Sequence, residues 1–293
     1  MKEIVALIGS PRKLGNSELM AKEICRHLRV ACHLTLVRLP AMNIQPCRAC
    51  YACIMAEKKC PLDDDLPKIL AALVQADAVI LSVPTYMLSA NASLKRLLDR
   101  GLSFLANFQQ LWQKPAVAVA IAGIAGMEGY CKLCLDSAAR LMGLHLKGSE
   151  VVYGALPGEI FLDQANRKVA ASLASALFAD APAGDNPRWC CPACGGDTFR
   201  FLSADTIRCM TCSSPGKVRI ENGSLHMEVN RVKDHFFLSV EGAQKHLKWL
   251  QQMKQRFLEQ KKTLKAICTD YMHQGDWLAS SKEHEDGQRT AIE

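Results

Sequence analysis

The sequence contains no long apolar run of the kind that crosses a lipid bilayer. Its longest uncharged apolar stretch, Pro115 to Met127, is shorter than the roughly 20 residues that a transmembrane helix needs. The chain starts directly on a strand-like segment at residues 3–8, and no signal-peptide cleavage pattern follows. These absences predict a soluble, cytoplasmic protein without a membrane partner.

The residue patterns of several common enzyme classes are also missing. The eight histidines show no metal-ligand spacing, and no Ser-His-Asp or paired-carboxylate arrangement supports hydrolysis. Neither a GxGxxG nor a Walker loop is present, which disfavours a dinucleotide or nucleoside triphosphate site. The net charge of +7 is spread along the chain, so nucleic acid is not an expected partner.

Cysteine, in contrast, is abundant, with 14 among the 293 residues. A reducing cytosol disfavours a disulfide framework, and eight of the cysteines fall into two compact clusters, as metal ligands do. The other six are expected to be small packed side chains: Cys25, Cys32, Cys131, Cys134, Cys190 and Cys268. Since Cys131 and Cys134 lie one turn apart near a helix N-terminus, a redox dithiol is the alternative for that pair.

Strands and helices alternate over the first 180 residues, and a hydrophobic content of 49% allows a large core. The predicted strands cover residues 3–9, 33–39, 78–83, 115–122 and 146–153. The predicted helices cover residues 17–29, 66–76, 91–106, 128–142 and 163–179, with Asn16 or Ser17 capping the first. This alternation predicts a doubly wound α/β domain with a five-stranded parallel sheet, whose ligands bind at the carboxyl ends of the strands.

The loop after the first strand, Gly9 to Ser17, is suited to holding a phosphate. It combines small residues, hydroxyls, an amide and an arginine just ahead of a helix N-terminus. Backbone N–H groups and the helix dipole attract an anion at such a place. An ordinary polar turn with a helix cap is the alternative.

This loop and the one after the third strand resemble those of the NADPH-dependent FMN reductase group of flavodoxin-like proteins. The matching residues are Ser10-Pro11-Arg12, Gly15-Asn16-Ser17, Pro84-Thr85-Tyr86, Ala90, Leu94-Lys95 and Leu98-Asp99-Arg100. The resemblance implies a flavodoxin-like fold with FMN, whose phosphate contacts Ser10, Arg12, Asn16 and Ser17. It implies that the isoalloxazine ring is bordered by Pro84, Thr85, Tyr86 and Met87, with Gly123 of loop 122–129 on the other side. Lys95, Asp99 and Arg100 are expected on a solvated helix face.

A cysteine loop follows the second predicted strand, with the spacing C-x2-C-x2-C-x6-C at Cys47, Cys50, Cys53 and Cys60. Ferredoxins hold cubane clusters with a similarly compact run, whereas zinc ligands usually come as two separated pairs. Within the group the loop resembles that of the iron–sulfur flavoproteins, which implies a [4Fe–4S] cluster on these four cysteines, a homo-oligomer and a donor such as ferredoxin. Relatives with a degenerate loop have no cluster, and many have glycine where this chain has Ala49.

The last third of the chain predicts a metal-stapled ribbon and a long helix. A linker at 181–188 separates the first domain, 1–180, from two C-x2-C pairs, Cys191/Cys194 and Cys209/Cys212. Their separation is close to that of zinc ribbons, so zinc is expected in a module at 189–220, with iron as the alternative and Cys190 as a substitute for Cys191. Short strands are predicted at 198–201 and 206–208. The extension 221–293 contains an amphipathic helix at 241–268 and a polar tail after Trp277.

These features together predict an FMN-dependent oxidoreductase of the iron–sulfur flavoprotein type. It would pass electrons between a one-electron donor such as ferredoxin, a [4Fe–4S] cluster and FMN. One alternative is an NAD(P)H-dependent reductase of flavin, quinone or metal without a cluster. The other is a redox sensor whose ribbon binds nucleic acid or a partner protein.

Overall fold

The computed structural model describes residues 1–55, 59–179, 189–232, 235–272 and 274–275. The predicted linker at 181–188 and the predicted tail after Trp277 lie outside the described residues. The chain divides into two units, one from Met1 to Lys248 and one that begins at Trp249. None of the helices in the described part of the chain combines the length and apolar character that crossing a bilayer requires.

The first unit is built on a parallel sheet in which the strand order is β2-β1-β3-β5-β6. A two-residue strand, β4, pairs antiparallel with the end of β3. The strands are β1 (Lys2–Ile8), β2 (Cys32–Arg38), β3 (Ala78–Tyr86), β4 (Ser89–Ala90), β5 (Pro115–Ala122) and β6 (His145–Tyr153). The order reverses at β1, so the loops that follow β1 and β3 leave the same edge side by side, and this is where flavodoxin-like sheets bind their ligand. The predicted flavodoxin-like α/β fold is confirmed.

Two layers of helices cover the sheet because side chains on a strand alternate between its faces. Ile4, Ala6 and Ile8 point to one face and belong to one core cluster, while Val5 and Leu7 point to the other. The helices are α1 (Asn16–Arg26), α2 (Leu66–Gln75), α3 (Ala92–Asp99), α4 (Gly101–Ala106), α5 (Phe108–Leu111), α6 (Cys131–Leu141) and α7 (Gln164–Leu177). Since both faces of the sheet are buried, its inner strands are almost continuously apolar.

Two details of the sequence prediction are wrong. The segment 91–106 is not one helix, because the chain leaves helical geometry at Arg100 and again at Asn107, which separates α3, α4 and α5. Glycine at position 101 weakens a continuous helix there. The N-cap of α1 is Gly15, with extended backbone, so neither Asn16 nor Ser17 caps the helix.

An antiparallel ribbon sheet follows, in the order β10-β9-β8-β7. Its strands are β7 (Phe199–Phe201), β8 (Thr206–Cys209), β9 (Pro215–Glu221) and β10 (Ser224–Val229). Strands β9 and β10 were not predicted, although Asn222 and Gly223, both with positive φ, form the turn between them and are a known hairpin signal. The predicted helix at 241–268 is present as α8 (Val240–Thr269).

Candidate functional site

The loop between β1 and α1 presents free backbone donors at the carboxyl edge of the sheet. Among the described residues, the amides of Asn16, Ser17 and Glu18 donate to no protein acceptor, because the first intrahelical bond runs from Leu19 N to Gly15 O. The side chains of Ser10 and Ser17 are buried in the same loop. These unpaired donors at a helix N-terminus fit a phosphate group.

Asn16 joins this loop to the loop after β6. Its Nδ2 donates to Gly154 O at 2.8 Å, and its Oδ1 accepts from Gly158 N at 2.8 Å. Arg12, which is exposed, donates to Ala155 O at 3.2 Å. The Asn16 side chain therefore braces two strand-end loops, while its backbone amide remains available to a ligand.

Arg38, at the end of β2, lies behind the phosphate loop and was missed by the sequence interpretation. Its Nη1 donates to Ser10 O at 3.1 Å and to Arg12 O at 2.6 Å, and its Nη2 donates to Glu18 Oε2 at 2.6 Å. Glu18 Oε2 also accepts from Leu14 N at 2.9 Å, and Leu14 has a positive φ of 51°. The Arg38–Glu18 pair thus fixes the carbonyls and one amide of the loop.

The ionisation of Glu18 should make this network sensitive to acid. Burial raises the pKa of the carboxyl, but hydrogen bonds from Lys22, Arg38 and the Leu14 amide outweigh it and lower the pKa from 4.5 to about 2. A carboxyl whose pKa is depressed on folding stabilises the fold above its unfolded pKa and loses that contribution as pH falls through the folded value.

We therefore expect Glu18→Gln to flatten the pH dependence of the free energy of unfolding between pH 4.5 and about 2. The parent should lose up to about 3 kcal/mol more than this variant across that window, since the side chain is only 7% exposed. Urea unfolding at several pH values measures the difference. Glu150→Gln, at an exposed position of β6, is the control and should follow the parent; equal acid slopes for parent and Glu18→Gln would contradict the expectation.

The end of β3 turns into β4 through a strained hairpin. Met87 and Leu88 both have positive φ, 50° and 62°, which is unusual for residues other than glycine and is typical of functional sites. Met87 is 94% exposed. The Thr85 hydroxyl is buried beside the Cys131 thiol and has no hydrogen-bond partner of ordinary geometry among the described residues.

The loop between β5 and α6 is fastened to this hairpin. Tyr130 N donates to Leu88 O at 2.9 Å, and a Cβ on Gly129 would lie 2.2 Å from the same carbonyl. Gly123 is exposed and would have only ordinary contacts if it carried a Cβ. The predicted flavin residues thus lie at or just beyond the carboxyl ends of β1, β3 and β5, at one edge of the sheet. The free amides, the buried Thr85 hydroxyl and the exposed ring of Tyr86 at this edge fit a phosphorylated planar ring.

Cys131 and Cys134 lie beneath this edge. Cys131 is buried, and burial raises the pKa of its thiol to about 11. The Cys134 Sγ lies 3.7 Å from the Ser89 hydroxyl. Since a raised pKa opposes thiolate formation, this environment favours packing over a reactive dithiol.

The four cysteines of the loop after β2 converge on one small, partly open cavity of about 20 Å³, which Leu62, Arg100 and Ser103 also line. Cys47 and Cys50 are exposed, whereas Cys53 and Cys60 are half-buried. Ala49 N donates to Cys47 Sγ at 3.4 Å, and Ala49 has a positive φ of 52°, which explains why glycine suits this position. Four thiols gathered at one point are a donor set that fits a cubane cluster, in which each thiolate binds a different iron.

Arg100 is not on a solvated face, which corrects the sequence prediction. It is 2% exposed, its Nη2 donates to Cys60 Sγ at 3.1 Å, and its Nη1 donates to Gln45 O at 2.8 Å and to the buried carboxylate of Asp64. The break after α3 directs this side chain onto the cysteine loop. Lys95 and Asp99, in contrast, form an exposed ion pair as expected.

Cys191, Cys194, Cys209 and Cys212 form the second thiol cluster, and their sulfur atoms all lie within 4.8 Å of one another. The Cys191–Cys212 and Cys194–Cys209 sulfur distances are 3.7 and 3.6 Å. Tetrahedral zinc with Zn–S bonds of about 2.3 Å separates its sulfurs by about 3.8 Å. Four thiolates this close together would repel one another, so a cation is needed to hold them.

The ribbon contacts the first domain through α6. Lys132 donates to Asp136 on its own helix at 2.9 Å and to Asp197 of the ribbon at 2.8 Å. Arg140 donates to the carbonyl of Cys194, one of the clustered cysteines. The helix that begins beside the predicted flavin edge therefore also carries the docking contacts of the ribbon.

The sheet order and the loops at its carboxyl edge define a flavodoxin-like flavoprotein. The family model of the NADPH-dependent FMN reductases matches residues 2–154, more than half of the 293 residues. The chain therefore belongs to this family.

Two proteins of related sequence and one solved structure are similar to this chain. An iron–sulfur flavoprotein from Methanocaldococcus jannaschii is 33% identical over 120 residues, 41% of this chain and 61% of that protein, so the chain spans about three fifths of that relative's length. A flavone synthase from Aspergillus candidus is 24% identical over 222 residues, 66% of this chain and 68% of that protein. The solved structure of a flavone reductase has a TM-score of 0.71 with 14% identity and covers 95% of this chain and 100% of its own, which shows a shared fold.

Proposed function

We propose that this protein is an FMN-dependent oxidoreductase of the electron-transfer type, whose cysteine loop holds a [4Fe–4S] cluster and accepts electrons from a one-electron donor such as ferredoxin. The observation that carries the proposal is the single cavity lined by Cys47, Cys50, Cys53 and Cys60. The similarity to an iron–sulfur flavoprotein supports it. When bound, such a cluster exchanges single electrons and FMN exchanges one or two.

The cysteines of the loop and the neighbouring Arg100 have different roles in this proposal. The four thiolates bind iron, and the Arg100 guanidinium donates to Cys60 and offsets part of the negative charge of the site. Asp64 and Gln45 O hold Arg100 in place. Because Cys47 and Cys50 are exposed, an external donor can approach that side of the loop.

FMN is proposed to bind along the carboxyl edge of the sheet. Ser10, Arg12, Asn16 and Ser17 would hold its phosphate, with Asn16 acting through its amide. Pro84, Thr85, Tyr86 and Met87 would border one side of the ring and Gly123 the other. We further propose that the ribbon cysteines bind one zinc ion, and that the protein works as a homo-oligomer.

A second candidate function is an NAD(P)H-dependent reductase of a planar aromatic compound, with an empty cysteine loop. Its specific support is the flavone synthase relative, whose match exceeds the FMN reductase segment in length. Large apolar side chains are also exposed on the loops beside the proposed flavin edge, notably Met87, Ile124, Met127 and Tyr130.

Protein purified without oxygen distinguishes the two functions. We expect one FMN, about four irons and one zinc per chain, a brown colour, and faster reduction by reduced ferredoxin than by NADH or NADPH. Metal analysis, the visible spectrum and anaerobic stopped-flow reduction provide the measurements. Iron-free protein that is reduced rapidly by NAD(P)H would reject the first function and support the second.

A further inference from the structure

The carbonyl groups of the phosphate loop must point away from the anion that the amides face. A loop whose N–H groups converge on a phosphate directs its C=O groups to the opposite side, where each needs a partner of its own. In this chain the carbonyls of Ser10 and Arg12 both accept from Arg38 Nη1, at 3.1 and 2.6 Å. One guanidinium therefore fixes two peptide groups of the loop from behind.

Glu18 completes this support from the first turn of α1. Its Oε2 accepts from Arg38 Nη2 at 2.6 Å and from Leu14 N at 2.9 Å, while its Oε1 accepts from Lys22 Nζ at 2.6 Å. The bond to Leu14 N fixes a residue with a positive φ of 51°. Glu18 is 6% exposed as a residue, and the Arg38 side chain is 24% exposed.

The hydrogen bonds that Arg38 already makes argue against a direct role for it as a phosphate ligand. Its Nη1 is occupied by two carbonyls and its Nη2 by a carboxylate, so its positive charge is paired with Glu18. Arg12, in contrast, has an exposed side chain in the same loop. A planar guanidinium with donors in a rigid fork suits this three-point contact, and lysine does not reproduce it.

We infer that Arg38, held by Glu18, is a positioning residue that shapes the β1–α1 loop for the FMN phosphate, an inference that rests on the proposed FMN site. We expect Arg38 to affect binding of the phosphate and not of the ring, because among the described residues the hydrogen bonds of Arg38 and Glu18 reach only this loop and α1. Removing it should thus weaken FMN much more than riboflavin, which has the same ring and no phosphate.

The test compares dissociation constants of FMN and riboflavin, measured by quenching of flavin fluorescence with protein freed of flavin. We expect Arg38→Gln to raise the Kd for FMN about tenfold or more and Arg38→Lys to give an intermediate loss, with the Kd for riboflavin nearly unchanged. Arg26→Gln is the control, since the Arg26 side chain is 77% exposed and, in the part of the chain that the structure describes, its guanidinium pairs with Glu23 alone. Thermal unfolding of each variant shows whether the fold is retained.

A second variant separates positioning from direct contact. If Arg38 acts through the loop, Glu18→Ala should also weaken FMN selectively, because both Arg38 and Leu14 N lose their acceptor. If Arg38 were a direct phosphate ligand, Glu18→Ala would release its charge and tighten FMN binding. Tighter binding in Glu18→Ala, an unchanged FMN constant in Arg38→Gln, or an equal loss for riboflavin would each overturn the inference.

Discussion

Replacing Cys50 with serine is expected to remove all iron from anaerobically prepared protein while FMN and the ribbon metal stay bound. The three sites use separate residues, and a cubane cluster held by three thiolates beside an exposed position is readily lost. Reduction by reduced ferredoxin should become more than about tenfold slower. Reduction by a hydride donor should change little, since it does not need the cysteine loop.

Iron, zinc and flavin analysis and stopped-flow reduction with both donors measure this effect. Cys268→Ser is the matched control, because Cys268 is also exposed and belongs to neither thiol cluster. If the Cys50 variant accepts ferredoxin electrons as fast as the parent, the cysteine loop is not the entry point. If the parent itself contains no iron, the NAD(P)H-dependent function takes its place.

Replacing Cys209 with serine should abolish zinc binding and unfold the ribbon. The free energy of binding structural zinc, about 10 kcal/mol or more in small metal-stapled modules, is also folding free energy there. The ribbon has little else to hold it, since its core cluster centres on Cys191, Cys209 and Cys212. Amide hydrogen exchange over residues 189–232 should therefore accelerate strongly, and exchange in α6 should increase where Lys132 and Arg140 lose their partners.

Cys190→Ser is the control for this variant, because Cys190 is adjacent to Cys191 but lies outside the four-sulfur cluster. The parent treated with a strong chelator should behave like Cys209→Ser. Zinc retained by Cys209→Ser, or ribbon amides that stay protected after chelation, would contradict the proposed metal site. Loss of FMN from the variant would show that the contacts of the ribbon with α6 extend to the flavin edge.

Much of the first domain could be predicted because its elements are encoded locally. The buried parallel strands are continuous apolar runs such as Pro115–Ala122, and each is followed by a helix of suitable periodicity. The two cysteine clusters could also be predicted, since the spacing of metal ligands is read directly from the sequence. The ribbon hairpin β9–β10 was missed although its Asn222-Gly223 turn is a local signal.

The roles of individual charged side chains could not be predicted in the same way. Lys95, Asp99 and Arg100 lie on one short stretch of sequence, yet the first two are solvated and the third is buried against Cys60. Arg100 is buried because the backbone changes direction at this one residue, between α3 and α4. Helical periodicity cannot predict such a break. Asn16 was predicted to cap α1, but its side chain bonds to the backbone of Gly154 and Gly158 instead. These partners are far away in sequence, so no local pattern indicates them.

The sequence by itself determined the α/β fold, the strand-end loops and the two sets of clustered cysteines, since these depend on hydrophobic pattern and local spacing. Only the tertiary structure decided that Arg38 and Glu18 support the phosphate loop, that Arg100 contacts the cysteine loop and that the ribbon docks on α6. Each of these contacts joins residues from different elements, and a buried charge takes whichever partner the packed fold brings within hydrogen-bond distance.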